Sequence, residues 1–212
     1  MKALPISREK ERQRALAHLP RVKVPSCAGR NGEELATDEA AVWKRVLNFN
    51  VAKYLQPKTM FESHPGFGIS TALYAHACPS AGLYNPTNLA HLDKVDLLDV
   101  DPFGQPWDTL FQYRSLISSR TTVFVTNGEA HAVIRNWPRA QRFPSRFSGC
   151  DMPRWVTEEY IPRLEKLLQL PCRFFYAFPT SVRSIHSKRR LPRSIFHACP
   201  RWMWWLTRYA ND

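Results

Sequence analysis

Three short runs of apolar and β-branched residues constrain this chain's fold more than any other feature: TMFE at 59–62, KVDLLDV at 94–100 and TTVFVTN at 121–127. None alternates strictly between apolar and polar residues, so each reads as a strand buried on both faces. Strands of that kind belong to parallel sheets covered by helices. The first two runs lead into acids, Glu62 and Asp101, and then into loops that hold glycine, at Gly66 and Gly104. Helical spacing fills the stretches around them: TDEAAVWKRVLNFNVAKYL at 37–55, a helix from Ile69 or Ser70, WDTLFQYRSLISS at 107–119 and DMPRWVTEEYIPRLEKLLQL at 151–170. The alternation predicts an α/β domain with a mostly parallel sheet.

The helix over 37–55 takes Thr37 or Asp38 as its cap and turns Val42, Val46, Leu47 and Val51 to one face. Pro162 is expected to kink the fourth helix or to begin a second segment. GLYNP at 82–86 offers an extra short strand, and CRFFYAFP at 172–179 reads as another. The tail RSIFHACPRWMWWLTRY at 193–209 is expected to hold one or two more. Strands near Phe174 and Met203 would form an antiparallel edge hairpin joined by the basic SKRRLPR. Residues 1–35 read as a basic arm that orders on contact with a partner, and 36–212 as the α/β domain.

The net charge is +12 over 212 residues, and it is unevenly spread. Residues 1–30 hold eight Lys/Arg against two Glu, and 139–208 hold fourteen against four acids, while 31–138 are mildly acidic. Such flanks serve either as a solvated surface or as contacts to a phosphate-rich partner. Arginine dominates the second flank, which favours bidentate phosphate contacts. KRRLPR, with Lys188, Arg189, Arg190 and Arg193, is the densest basic stretch and the candidate for tracking phosphates; a solvated loop is its plain alternative. Five cysteines with no C-x-x-C pair argue against a disulfide framework and a zinc site, and for a reducing compartment. Seven histidines show no ligand spacing. With no signal peptide and no apolar run of membrane length, a cytoplasmic protein without a membrane partner is expected.

In an open α/β sheet, ligands sit beyond the carboxyl ends of the strands. The loop after the first strand brings Glu62, His64, Gly66, Phe67 and Gly68 there. Its glycines let a ligand approach the backbone, and the helix behind them offers free N–H groups. The dinucleotide fingerprint is incomplete, since Ser70 and Thr71 occupy the region of its third glycine. The second strand delivers Asp101, Pro102, Phe103 and Gly104 to the same edge. A carboxylate and a carbonyl can hold the hydrogens of an exocyclic amine and steer its lone pair, and Phe103 can stack on the base that carries it.

DVDPFGQP resembles the D-x-D-P-F/Y-G-S-P segment of the tRNA dimethylguanosine methyltransferases and, more loosely, the D/N-P-P-Y/F segment of amino-group methyltransferases. FESHPGFGIST is similar to the first glycine loop of S-adenosylmethionine-dependent methyltransferases, and VFVTNGEA to the next strand and loop of the tRNA family. The resemblance spans roughly residues 58–130, with Gln105 in place of a serine. It implies a Rossmann-like methyltransferase fold and methyl transfer from S-adenosylmethionine to an amino group of a nucleobase in RNA or DNA. Glu62, His64, Gly66, Gly68 and Asp99 would then border the cofactor, and Asp101, Pro102 and Phe103 would hold the target.

Only 35 positions separate Gly66 from Asp101. One β-α-β unit takes about 30 residues, so the first half of such a fold is shortened. The acid that grips the cofactor's ribose is not evident among Asn85, Asn88, Asp93 and Asp96. Either the arm or a partner subunit, including a second copy, completes the enzyme, or the chain is an inactive, basic nucleic-acid-binding accessory protein of a phage or mobile element. Thr126, Asn127 and Glu129 either line the same cleft or cap a helix through Asn127. Trp202, Trp204 and Trp205 form either strand core or a stacking platform, and Cys78 reads as buried.

Overall fold

A computed structural model describes residues 39–66, 68–89, 91–102, 104–129, 152–177 and 181–196, together with Lys10, Ala17, Leu19 and Pro20. The basic arm, the caps at 37–38, Phe67, Phe103 and the tryptophan-rich tail therefore lie outside the described residues, apart from those four positions in the arm.

The elements in chain order are α1 (Glu39–Leu55), β1 (Thr59–Glu62), α2 (Ile69–Ala77), β2 (Gly82–Tyr84), β3 (Leu97–Val100), α3 (Trp107–Gln112), β4 (Thr122–Asn127), α4 (Ile161–Leu168), β5 (Cys172–Ala177) and β6 (Val182–His186). The six strands form one sheet of order β2-β1-β3-β4-β6-β5. β1, β3 and β4 run parallel, and β6 and β5 close the sheet antiparallel. Between β1 and β3 stand one helix and one three-residue strand, as the short interval requires.

The chain divides into two compact units. In the first, α1 packs on α2 and on the 3-10 turn Arg193–Phe196. Val42, Val46, Leu47 and Val51 are all buried, and so are Trp43 and Asn48. The Asn50 amide reaches the Ile195 carbonyl, and the buried Cys78 thiol donates to the Ala52 carbonyl.

The second unit contains β1, β3–β6, α3 and α4. Its core gathers Phe61, Leu98, Val100, Val123, Val125 and Val182 from one face of the sheet, with Trp107, Leu110 and Tyr113 from α3 and Leu164 and Leu168 from α4. Trp155 and Tyr160 stack within it, ring centroids 5.2 Å apart, and Trp107 meets Tyr160 edge-on; such pairs contribute about 1 kcal/mol beyond burial. The segment before α4 is a π-helix from Trp155 to Tyr160. Pro162 stands in the first turn of the following segment, which Ile161 begins: without an N–H it cannot donate to the carbonyl four residues back, and the widened turn lies just upstream.

The edge hairpin differs from the expectation. It pairs β5 with β6, with Ala177 opposite Val182, so SKRRLPR follows the hairpin instead of joining it, and Met203 lies outside the described residues. Arg193–Phe196 is a 3-10 turn rather than a strand.

Candidate active site at the carboxyl edge

The chain leaves β1 for β2 on one side and returns to β3 on the other, so β1 and β3 are neighbours at the point where the strand order reverses. A cleft opens beyond the carboxyl ends of such a pair, because the two following loops diverge. The register fixes what stands there. Glu62 is opposite Asp99, and the Ser63 N–H donates to the Asp99 carbonyl at 2.9 Å, carrying the ladder one step past β1.

Two carboxylates side by side on one sheet face repel. Arg183 answers from β6: its guanidinium lies 5.2 Å over the Phe124 ring, bonds the Thr126 hydroxyl, and reaches the Asp99 carboxylate at 2.7 Å. Asp99 and Arg183 are each 1% exposed, and Glu62 is 6% exposed. Asp99, expected at the cofactor, is thus engaged with Arg183 inside the sheet. At the end of β1 the exposed His64 shares a 2.8 Å hydrogen bond with the Ser63 hydroxyl.

Asp101 and Pro102 follow β3 directly and are half-buried. The loop they open is joined to the end of β4 through backbone alone: the Gly128 N–H donates to the Gly104 carbonyl at 2.6 Å. A Cβ on Gly128 would stand 3.2 Å from the Gly104 Cα and oxygen, tighter than an ordinary contact, so a side chain at 128 would require the Gly104 backbone to shift by a few tenths of an ångström. Gly104 has φ of +96°, a conformation that side chains disfavour. Beside the joint, Asn127 accepts the Glu129 N–H at 2.6 Å and donates to its carboxylate. Asn127 thereby closes a turn at the strand end, and the residues that a helix cap here would lead into lie outside the described ones. The Trp107 indole N–H, from the first residue of α3, donates to the same Glu129 carboxylate at 3.1 Å. Two loops 24 positions apart thus meet at one edge and present acceptor oxygens. No group of acidic, histidine and cysteine side chains among the described residues could hold a metal ion.

No protein-family model matches the sequence, and no curated protein matches it. Solved structures do. Trm1 from Pyrococcus horikoshii, in complex with S-adenosyl-L-methionine, matches 84% of this chain at 13% identity with a TM-score of 0.64. The fold is that of the S-adenosylmethionine-dependent methyltransferases. The match covers 62% of the Trm1 chain. Looser matches are the S-adenosylhomocysteine-bound methyltransferase PaMTH1 of Podospora anserina (12% identity, 88% and 89% of the two chains, TM-score 0.42) and human N-acetylserotonin methyltransferase with S-adenosylmethionine (11%, 86% and 57%, 0.41).

Within this methyltransferase fold, Gly66 and Gly68 belong to the first unit and come after β1 in the chain, with φ of +52° and +76° and open space where a Cβ would stand. Lys188, Arg189 and Arg190 are exposed and come directly after β6. β6 is antiparallel to β4, with His186 level with Val123 and Val182 level with Asn127. These three residues therefore leave the sheet at the edge opposite Asp101, while Arg193 belongs to the first unit. Arg183 and Gly128 went unremarked in the sequence. A buried acid inside LLDV was the available signal that a cation must lie elsewhere.

Proposed function

We propose that the chain transfers a methyl group from S-adenosylmethionine to an exocyclic amino group of a nucleobase in RNA or DNA. The joint between Gly128 and Gly104 carries this reading, because it fixes the loop with Asp101 and Pro102 at the switch point of a methyltransferase fold. The residues present fit the cofactor. Gly66 and Gly68 leave an open backbone at the start of α2, and Glu62 ends β1 with a carboxylate. Glu62, His64, Gly66 and Gly68 border the cofactor in this reading, the two glycines being assigned by chain order. Asp99 supports it through its hold on Ser63 and Arg183. Bound there, S-adenosylmethionine supplies a methyl group on a sulfonium sulfur, open to attack by a nitrogen lone pair.

Asp101 and the Pro102 carbonyl accept the hydrogens of the amine, and Asp101 takes the proton it sheds. Phe103 stacks on the base and fixes its plane. Lys188, Arg189 and Arg190 hold phosphates at the sheet edge opposite the reacting base, and Arg193 is a further phosphate contact assigned by chain order. The arm or a partner subunit, including a second copy, completes the shortened half.

A second reading, an inactive nucleic-acid-binding module, is favoured by the residues that come after β2. Asn85 stands there in place of an acid, and its side-chain oxygen takes the N–H and hydroxyl of Thr87. Asp96 is engaged with Thr59.

Calorimetric titration with S-adenosylmethionine and S-adenosylhomocysteine separates the two. Micromolar binding that disappears in Gly66→Trp is the expected result. Asp101→Ala should then lower methyl transfer by about 100-fold or more while nucleic-acid affinity stays within a factor of two or so. Absence of cofactor binding, with and without nucleic acid, overturns the enzymatic reading.

A further inference from the structure

Between α3 and α4, within the second unit, lies a cleft of about 270 Å³ lined by Trp107, Phe111, Arg114, Arg163, Lys166 and Leu167. Trp107, Phe111 and Arg114 succeed one another at helical spacing along α3 and the 3-10 turn behind it, and Arg163, Lys166 and Leu167 do so along α4. Trp107 itself, Leu110 and Tyr113 on one side and Leu164 and Leu168 on the other turn into the core, with Leu167 packed against it. The cleft therefore lies at the margin of the core, between two helices that the core already fixes.

Its chemistry is selective. Three of the six lining residues are cations and none is an acid. The floor between them is apolar, and Phe111 remains 49% exposed, one of two large hydrophobics exposed among the described residues. The Arg163 guanidinium stands 5.9 Å over the Trp107 ring. A flat, apolar group flanked by negative charge satisfies all of these features at once. An acidic peptide would meet the cations but leave the Phe111 ring without a planar partner.

We propose that this cleft binds one unpaired nucleotide of the nucleic-acid substrate, with its base stacked on Phe111 against Leu167 and its phosphates held by Arg114, Arg163 and Lys166. The inference rests on the proposed function and adds a second contact for the same substrate. The volume lies just under the range of about 300–1,000 Å³ typical of pockets for larger ligands, which suits a single base with its sugar. Trp107 links the two places: its ring lines the cleft and its indole N–H holds Glu129 at the carboxyl edge. Stacking on an aromatic ring tolerates any base, so this contact anchors the strand without choosing the sequence.

The test is fluorescence anisotropy of the full chain with a labelled single-stranded RNA over a range of salt, alongside methyl transfer to the same RNA. Phe111→Ala should weaken binding about 10-fold, within the range for loss of one stacked base, and leave the salt dependence unchanged. Arg114→Gln with Lys166→Gln should lower the slope of log affinity against log salt by about 1.4, or about 0.7 per phosphate. Neither variant should change S-adenosylmethionine affinity or the melting temperature. If both variants bind RNA like the wild type, while the wild type binds and methylates it, the cleft assignment fails and the proposed function stands. If the wild type binds S-adenosylmethionine but neither binds nor methylates nucleic acid, the proposed function fails and takes the cleft with it. Displacement of the RNA by polyglutamate at equal charge concentration would overturn the assignment in favour of an acidic protein partner.

Discussion

His186 has no exposed surface, yet it is a titratable group inside a strand, with its Nε2 3.0 Å from the Ser184 hydroxyl. Burial removes water from the imidazolium and lowers its pKa to about 4, with a smaller opposing contribution from the Leu170 backbone. The ordinary value is about 6.5. The folded pKa is therefore depressed, so the stabilisation from keeping this ring neutral is complete above about pH 6.5 and is lost as pH falls towards 4. The difference corresponds to about 3 kcal/mol. In urea titrations at a series of pH values, the wild-type midpoint should fall through that window more steeply than that of His186→Gln. Parallel curves would show that the ring does not titrate on unfolding.

The joint between the loops after β3 and β4 belongs to the scale of elements. Gly128→Ala pushes a methyl group against the Gly104 backbone, which cannot rotate away as a side chain can. Overpacking of this kind costs about 1–3 kcal/mol. The measurable outcome is a lower denaturation midpoint with faster exchange of the residue 128 amide and, under the proposed function, methyl transfer reduced more than cofactor affinity. Unchanged exchange would mean that the loop is held by other contacts. The same scale shows how much of the fold the sequence discloses. β1, β3 and β4 are readable because apolar side chains serve both of their faces, and the positions of the loops after them are set by strand direction. β6 is hidden, because Arg183, Ser184 and His186 interrupt its hydropathy although the whole strand is buried. Arg183 is tolerated through a partner distant in sequence, Asp99, while His186 and Ser184 bond each other within the strand. Gly104 can be singled out locally as a turn glycine, but its partner Gly128 emerges only when β3 and β4 pair.

At the largest scale, one exposed basic run and the loop that holds Asp101 stand at opposite edges of the sheet. Lys188, Arg189 and Arg190 leave the sheet at its far edge, where Arg173 fixes their start by donating to the Ser187 carbonyl at 2.7 Å and the Lys188 carbonyl at 3.1 Å. Replacing the three by glutamine should lower the salt slope for single-stranded RNA by about 2 without altering the melting temperature or cofactor affinity. An unchanged slope would assign phosphate binding elsewhere. No helix among the described residues is long and apolar enough to cross a membrane.

Strands of five or six residues set the two edges about 17–20 Å apart. A strand gripped beside Arg173 and offering its base at Asp101 must cover that length of sheet. The sheet would then act as a ruler, selecting a base by how far it lies from the grip, so that moving the target one nucleotide along the same RNA removes it from reach.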